Sequence, residues 1–331
     1  MRPLANRRGD VSRDRHSHSG RGKPPRPHQK KRNRDMSKPN IGYIGIGLMG
    51  SAMVKRLLNT GYNVTVTANR SRPLVDEVVA AGATEVSNAR EVAEASDIVM
   101  LCVATSAQVE SLMRGPDGIL AGLKPGGTVI DFGTSLPAST QALGAETAAA
   151  GSAYLDAPLG RTPQQAIDGL LNIMGAGDKA AFDKVKPVLD DLGENVFHLG
   201  PLGAGHATKL INNFFAQCMV NGLTEGFAMA DKMGIERQDL YNVVSSGPLH
   251  SMMMDFIAGY ALKGDASKMQ FSIKNATKDV GYYVQMTKDA GLETLMGGNT
   301  LDALQGAVDA GMGENLVPEV LEHYVAQFKN G

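Results

Sequence analysis

Apolar positions in the first two thirds of the chain fall in short runs. Further on they recur every three or four residues. Ile41–Ile44, Ile98–Val103 and Thr128–Asp131 are short, mostly apolar runs of the kind found in strands buried on both faces. Asn63–Ala68 alternates β-branched residues, and Tyr154–Ala157 and Leu171–Met174 read as further strands. Between the first two runs, Met53, Val54, Leu57 and Leu58 fall at helical spacing, and Val78–Ala83 reads as the end of another helix. Strands and helices alternating over 40–200 predict a doubly wound, largely parallel sheet of the α/β class. In such a sheet ligands gather at the carboxyl ends of the strands, where Thr105, Thr134 and the loop after Asp156 fall. From His206 to Met233 one long helix is predicted. Leu240–Val244, Ile273–Ala290, Thr294–Ala310 and Val317–Lys329 follow as helices between Gly- or Pro-marked turns.

The first strand runs directly into Gly45-Ile46-Gly47-Leu48-Met49-Gly50 and then into a helix. Strand, Gly-x-Gly-x-x-Gly turn and helix in that order are what a dinucleotide site requires. The first glycine permits the tight turn, the second lets a pyrophosphate approach the backbone, and the third lets the helix lie close to the strand. The backbone of Leu48 and Met49 opens the helix whose N-terminus faces the phosphates. The predicted architecture is therefore an N-terminal Rossmann-type sheet over 36–202 and an all-helical C-terminal domain over 203–331, with a cleft between them.

Charge divides the chain differently. Of 33 Lys/Arg and 34 Asp/Glu, residues 1–35 hold twelve basic and three acidic. The remainder is thus acidic by about ten charges, a poor match for nucleic acid. Residues 1–35 contain almost no large apolar side chain and read as a disordered basic tail. Met36-Ser37-Lys38 leads straight into the first strand, which makes Met36 a candidate start. No apolar run approaches the roughly 20 residues of a membrane span. Cys102 and Cys218 lie in apolar surroundings, so free thiols and a reduced, cytoplasmic protein are expected.

About twenty residues past Gly50, where an NAD site usually carries an acidic residue, stand Asn69-Arg70-Ser71-Arg72. A cation suits a 2′-phosphate, so NADP is favoured over NAD. Further on, Gly203-Ala204-Gly205-His206 opens the long helix, and Lys209 and Asn213 share one of its faces. A lysine desolvated in a cleft can act as acid or base. The same spacing also suits a surface lysine beside a capping asparagine. No His/Cys/Asp cluster has metal-ligand spacing.

Four stretches, Gly45–Gly50, Asp131–Pro137, Asp156–Gly160 and Gly203–Asn213 with Lys278-Asp279 beyond, resemble the β-hydroxyacid dehydrogenases in order and spacing over nearly all of 41–331. The resemblance implies an NAD(P)-dependent oxidoreductase that exchanges a hydride with a short β-hydroxy acid or its semialdehyde. It makes Lys209 the general acid/base and Asn213 a substrate-orienting residue. Thr134 would lie near the nicotinamide ribose, with Thr105 at the neighbouring strand end, and Lys278 would close over the cofactor. The family's substrate loop usually reads Asp-Ala-Pro-Val-Ser-Gly-Gly; here it continues as Gly160-Arg161-Thr162. An arginine fork suits a strong oxyanion, and this variant looks like sulfolactaldehyde reductase. The expected substrate is therefore 3-sulfolactaldehyde, interconverted with 2,3-dihydroxypropanesulfonate. Alternatives are 3-hydroxyisobutyrate and tartronate or succinic semialdehyde, with Arg161 then paired to an acid. The remote alternative is an inactive binding module on the same fold. The likeness also implies a homodimer or homotetramer and a small anionic substrate as the only other partner. His206 reads as a solvated or packing residue, His250 as a loop residue, and Met252–Met254 as core or interface.

Overall fold

The computed structural model describes residues 38–69 and 72–330. The basic tail, Met36 and Arg70 lie outside the described residues.

Six strands form one sheet: β1 (Ile41–Ile44), β2 (Val64–Thr67), β3 (Thr84–Val86), β4 (Ile98–Leu101), β5 (Thr128–Asp131) and β6 (Ala153–Asp156). All neighbours are parallel, in the order β3-β2-β1-β4-β5-β6. The helices between them are α1 (Leu48–Asn59), α2 (Pro73–Ala80), α3 (Ala89–Glu94), α4 (Ser106–Met113), α5 (Ile119–Gly122) and α6 (Pro137–Ala149). Successive residues of the central strands enter different cores, as a period of two requires. Tyr43, Met100, Ile130 and Leu155 join Met53 and Leu57 of α1 on one face. Ile44, Val99, Leu101, Val129 and Tyr154 join Val92 of α3 and Met113 of α4 on the other. Strands buried on both faces are why these runs read as continuously apolar. The order reverses between β1 and β4, and a crevice forms at that point on the carboxyl edge.

A second, three-stranded sheet extends the first. It contains β7 (Leu159–Gly160), β8 (Leu171–Gly175) and β9 (Gly193–His198), with α7 (Pro163–Asp168) and α8 (Lys179–Leu192). β7 is antiparallel to β8, and β9 is parallel to it. Leu159 and Gly160, read as loop, are thus a short strand. β9 was not predicted: it pairs with β8 alone, and Phe197 is half exposed, so it lacks the apolar pattern of a central strand.

The rest is helical: α9 (Ala204–Lys232), α10 (Arg237–Ser245), α11 (Met252–Lys263), α12 (Ile273–Asp289), α13 (Leu295–Ala307) and α14 (Val320–Asn330). They share a core of Val220, Phe227, Ile257, Val280, Leu304 and Leu321. The predicted helix over Thr294–Ala310 ends as a wider turn over Val308–Met312, because Gly311 adopts φ +86°. Pro318 makes the start of the last predicted helix a 3₁₀ turn, Val317–Glu319. Among the described residues, no helix is long and apolar enough to cross a membrane, and both cysteines are free.

Candidate active site

The glycine turn divides its labour among its three glycines. Gly45 has φ +101°, and a Cβ there would lie 2.3 Å from the Cys102 carbonyl oxygen. A Cβ on Gly50 would lie 2.1 Å from the carbonyl oxygen of Gly45. These two permit the turn and the close approach of α1 to β1. At Gly47 a Cβ would meet nothing within 4 Å. Gly47 is the residue before α1 and places no side chain over the helix's first N–H groups, so Leu48 and Met49 begin a helix end that suits phosphate. Gly45, Gly47 and Asn69 line one cavity of about 610 Å³, together with Asn88, Val103 and Gln108. Its size and its bare helix terminus fit a dinucleotide. Cys102 also lines it, and burial pushes its thiol up to about 12.

Arg72, which flanks the Asn69 turn, is held by Asp76 at 2.6 Å and Glu85 at 2.5 Å. Thr105 caps α4, its hydroxyl accepting from the amide of Gln108, and Gln108 reaches back in a capping box. Thr134 is half-buried in a loop tied down by Asp131. The Asp131 carboxylate accepts from the Gly133 amide at 2.8 Å and from the Ser135 hydroxyl at 3.0 Å.

Lys209 Nζ donates to the carbonyl oxygen of Leu159 at 2.7 Å. Burial lowers the pKa of this lysine; Asp279 opposes that shift and Lys278 adds to it. One turn along α9, Asn213 is buried and its Nδ2 donates to Asp279 Oδ2 at 2.6 Å. Lys278 Nζ lies 2.9 Å from Asp279 Oδ1, but the pair is not aligned as a hydrogen bond. The same Nζ donates to the Ala104 carbonyl at 2.6 Å, and the Ser106 amide donates to Tyr282 Oη at 3.2 Å. Lys209, Asn213, Asp279 and Lys278 therefore meet the loops after β4 and β6 at the carboxyl edge of the sheet.

Residues 40–200 match the NAD-binding domain of 6-phosphogluconate dehydrogenase, and residues 203–324 match the NAD-binding family model of NADP-dependent 3-hydroxyisobutyrate dehydrogenase. The chain is 31% identical over 284 residues to 2-(hydroxymethyl)glutarate dehydrogenase of Eubacterium barkeri, covering 85% of this chain and 93% of that one. The chain belongs to the β-hydroxyacid dehydrogenase family. Solved structures agree. A 3-hydroxyisobutyrate dehydrogenase from Salmonella typhimurium superimposes with a TM-score of 0.75 at 26% identity, over 86% of this chain and 99% of that one. Psf3, solved in complex with NADP+ and 2-OPP, gives 0.74 at 25% identity, over 86% and 99%.

In this β-hydroxyacid dehydrogenase the Gly160-Arg161-Thr162 stretch departs from the sequence usual in the family, and its backbone is unusual there. Arg161 has φ +82°, the one non-glycine residue with positive φ among the described residues. The family usually has glycine here, and a side chain in this conformation costs roughly 1–2 kcal/mol. The Arg161 guanidinium is anchored: Nη1 donates to the Leu170 carbonyl and to Glu194 Oε2. Both bonds use Nη1; Nε and Nη2 make no hydrogen bond among the described residues. Gly160 precedes it in β7, and the hydroxyl of Thr162 caps α7 by accepting from the Gln165 amide. The pairing of Arg161 with an acid is the arrangement expected for the alternatives to the sulfonate.

Two contributions were not read from sequence. Asp279 carries Asn213. Asp156 caps α9 from another element, accepting from the amides of Gly203 at 2.9 Å and His206 at 2.7 Å. Of the two readings of His206, solvated or packing, the second holds: it is fully buried. Asp131 and Asp156 each end an apolar strand with a carboxylate, which is the available signal. Their partners lie 2 to about 50 residues away, and those of Asp156 leave no local pattern. His250 is exposed and pairs with Asp255 at 2.9 Å. Of the three methionines, Met254 is buried, Met253 lies against the helical core and Met252 is exposed.

Proposed function

We propose that the enzyme interconverts a short β-hydroxy acid with an anionic head and its semialdehyde, with Lys209 as general acid/base and NADP as the preferred cofactor. The observation that carries this reading is the meeting of Lys209, its pKa lowered by burial, with the substrate loop at Leu159. A bound nicotinamide supplies the hydride in reduction and accepts it in oxidation. In reduction the Lys209 ammonium gives a proton to the oxygen that becomes the hydroxyl; in oxidation the neutral amine takes it back. Asn213, its Nδ2 held by Asp279, presents its amide beside that oxygen. The backbone at Gly160 and the Thr134 loop bound the substrate.

For the head group we favour a sulfonate, as in 3-sulfolactaldehyde. Arg161 keeps a strained backbone conformation where glycine would be relaxed, and its Nε and Nη2 edge is left for an oxyanion. The ion pair with Glu194 supports the second reading, a carboxylate such as 3-hydroxyisobutyrate or tartronate semialdehyde. Steady-state reduction of sulfolactaldehyde against methylmalonate, tartronate and succinic semialdehydes, by wild type and Arg161→Gly, separates the two. Selective loss of sulfolactaldehyde turnover in the variant supports the sulfonate; indifference of the variant, with a carboxylate preferred, rejects it.

We also infer a homo-oligomer. Ile211, Phe215 and Met219 form a stripe on α9 that is 41%, 61% and 42% exposed. A monomeric mass in light scattering at micromolar concentration contradicts it.

A further inference from the structure

A buried polar cluster behind the first turn of α9 takes no part in the chemistry above. Asp131 and Asp156 are register partners at the ends of β5 and β6, and both are fully buried. His206 lies against them. Its Nε2 is 3.7 Å from Asp131 Oδ2, and its Nδ1 is 3.9 Å from Asp156 Oδ2. Nδ1 is also 2.7 Å from Thr140 Oγ1. That hydroxyl donates to the Leu136 carbonyl at 3.1 Å, one turn back in α6. A hydroxyl has a single proton to give, so with that bond made, Nδ1 is the donor to Oγ1. A neutral ring would then turn a lone pair from Nε2 toward a buried carboxylate. Nε2 has no hydrogen-bond partner among the described residues.

The surrounding groups do not supply a countercharge. Asp131 faces Ser135, the Gly133 amide and the Tyr154 hydroxyl at 3.4 Å; Asp156 faces the amides of Gly203 and His206. Among the described residues, the only cationic side chain paired with either carboxylate is His206. Two buried carboxylates without a countercharge are costly.

We propose that His206 is a doubly protonated positioning residue: it serves as counter-ion to Asp131 and Asp156 and so fixes the turn of α9 that delivers Lys209. Asp131 holds the Thr134 loop. Asp156 holds the start of α9, and its own strand leads into Leu159, the acceptor of Lys209. A Cβ on Gly205 would lie 2.2 Å from the Met174 carbonyl oxygen, so this turn sits directly on β8. His206 thus ties together the loops after β5 and β6 and the helix whose next turn bears Lys209. The functional half of the proposal rests on Lys209 being the acid/base.

The test has two arms, both on the full chain. In ¹⁵N-histidine-labelled protein, with His206→Gln used to assign the signals, both ring nitrogens of His206 are expected at protonated shifts. One nitrogen at an unprotonated shift overturns the charge assignment, and this readout stands whether or not Lys209 is catalytic. In kinetics, His206→Gln and His206→Ala are expected to lose about 10- to 100-fold in kcat, with Kd for NADPH within about twofold. Unchanged kcat in both folded variants overturns the positioning role. If neither variant folds, the nitrogen shifts of the wild type, assigned by elimination against the other histidines, decide.

Discussion

Lys209 Nζ hydrogen-bonds to the carbonyl oxygen of Leu159 at 2.7 Å, joining the first turns of α9 to β7. On the proposed acid/base role, the bond fixes where the proton is exchanged, and burial sets the pH at which it is. Because burial lowers the lysine pKa, a larger fraction of the neutral amine is present near neutrality than in an exposed lysine. Oxidation needs the neutral amine, so its rate is expected to rise with pH through an apparent pKa below 10.5, the ordinary lysine value. Reduction needs the ammonium and is expected to fall over the same window. pH profiles of kcat/KM in both directions check this; an oxidation profile still rising only near the ordinary value contradicts it.

Two glycines of the turn are expected to fail differently. Gly50→Ala forces a methyl to 2.1 Å from the Gly45 carbonyl oxygen and should cost about 1–3 kcal/mol or more of stability. Gly47→Ala meets open space at an allowed φ of −89°. It should cost about 1 kcal/mol at most, while weakening NADPH binding severalfold. Thermal melts paired with cofactor titrations separate the two. Equal melting losses in both variants would show that Gly47 is structural.

Much of this was legible in sequence for a physical reason. Central strands buried on both faces are continuous apolar runs, so the predicted Thr128–Asp131 coincides with β5, and Ile98–Val103 overshoots β4 by two residues. Glycines excluded by backbone at about 2 Å leave a spacing that cannot drift. Edge elements such as β9 and the three-residue β3 carry no such constraint. The long-range carboxylates were also hidden. Nothing near Asp156 in sequence shows that it caps a helix starting at Ala204, and nothing beside Asn213 points to Asp279. The positive φ of Arg161 is invisible from its own residue type and shows only against the glycine usual in the family.

That φ leads to a stability prediction. Arg161→Gly relieves roughly 1–2 kcal/mol of backbone strain and loses an ion pair whose Glu194 is half exposed. The two nearly offset, so the change in unfolding free energy should stay within about 1 kcal/mol. Chemical denaturation measures it; a large loss would mean the anchor to Leu170 and Glu194 holds the loop's fold.

Asn69 lines the cavity that fits a dinucleotide, at the place where an acidic residue would favour NAD. Asn69→Asp should raise Kd for NADPH and leave or lower that for NADH, moving the preference by about tenfold. Titration of each cofactor gives the ratio. An unchanged ratio would place the determinant of cofactor choice elsewhere.

The most direct test of the central claim is kcat of Lys209→Ala under saturating NADPH and aldehyde, measured beside its Kd for NADPH. General acid catalysis by Lys209 predicts a fall in kcat of about 10²- to 10⁴-fold with Kd nearly unchanged. Turnover close to wild type would contradict it and remove Lys209 from the chemistry.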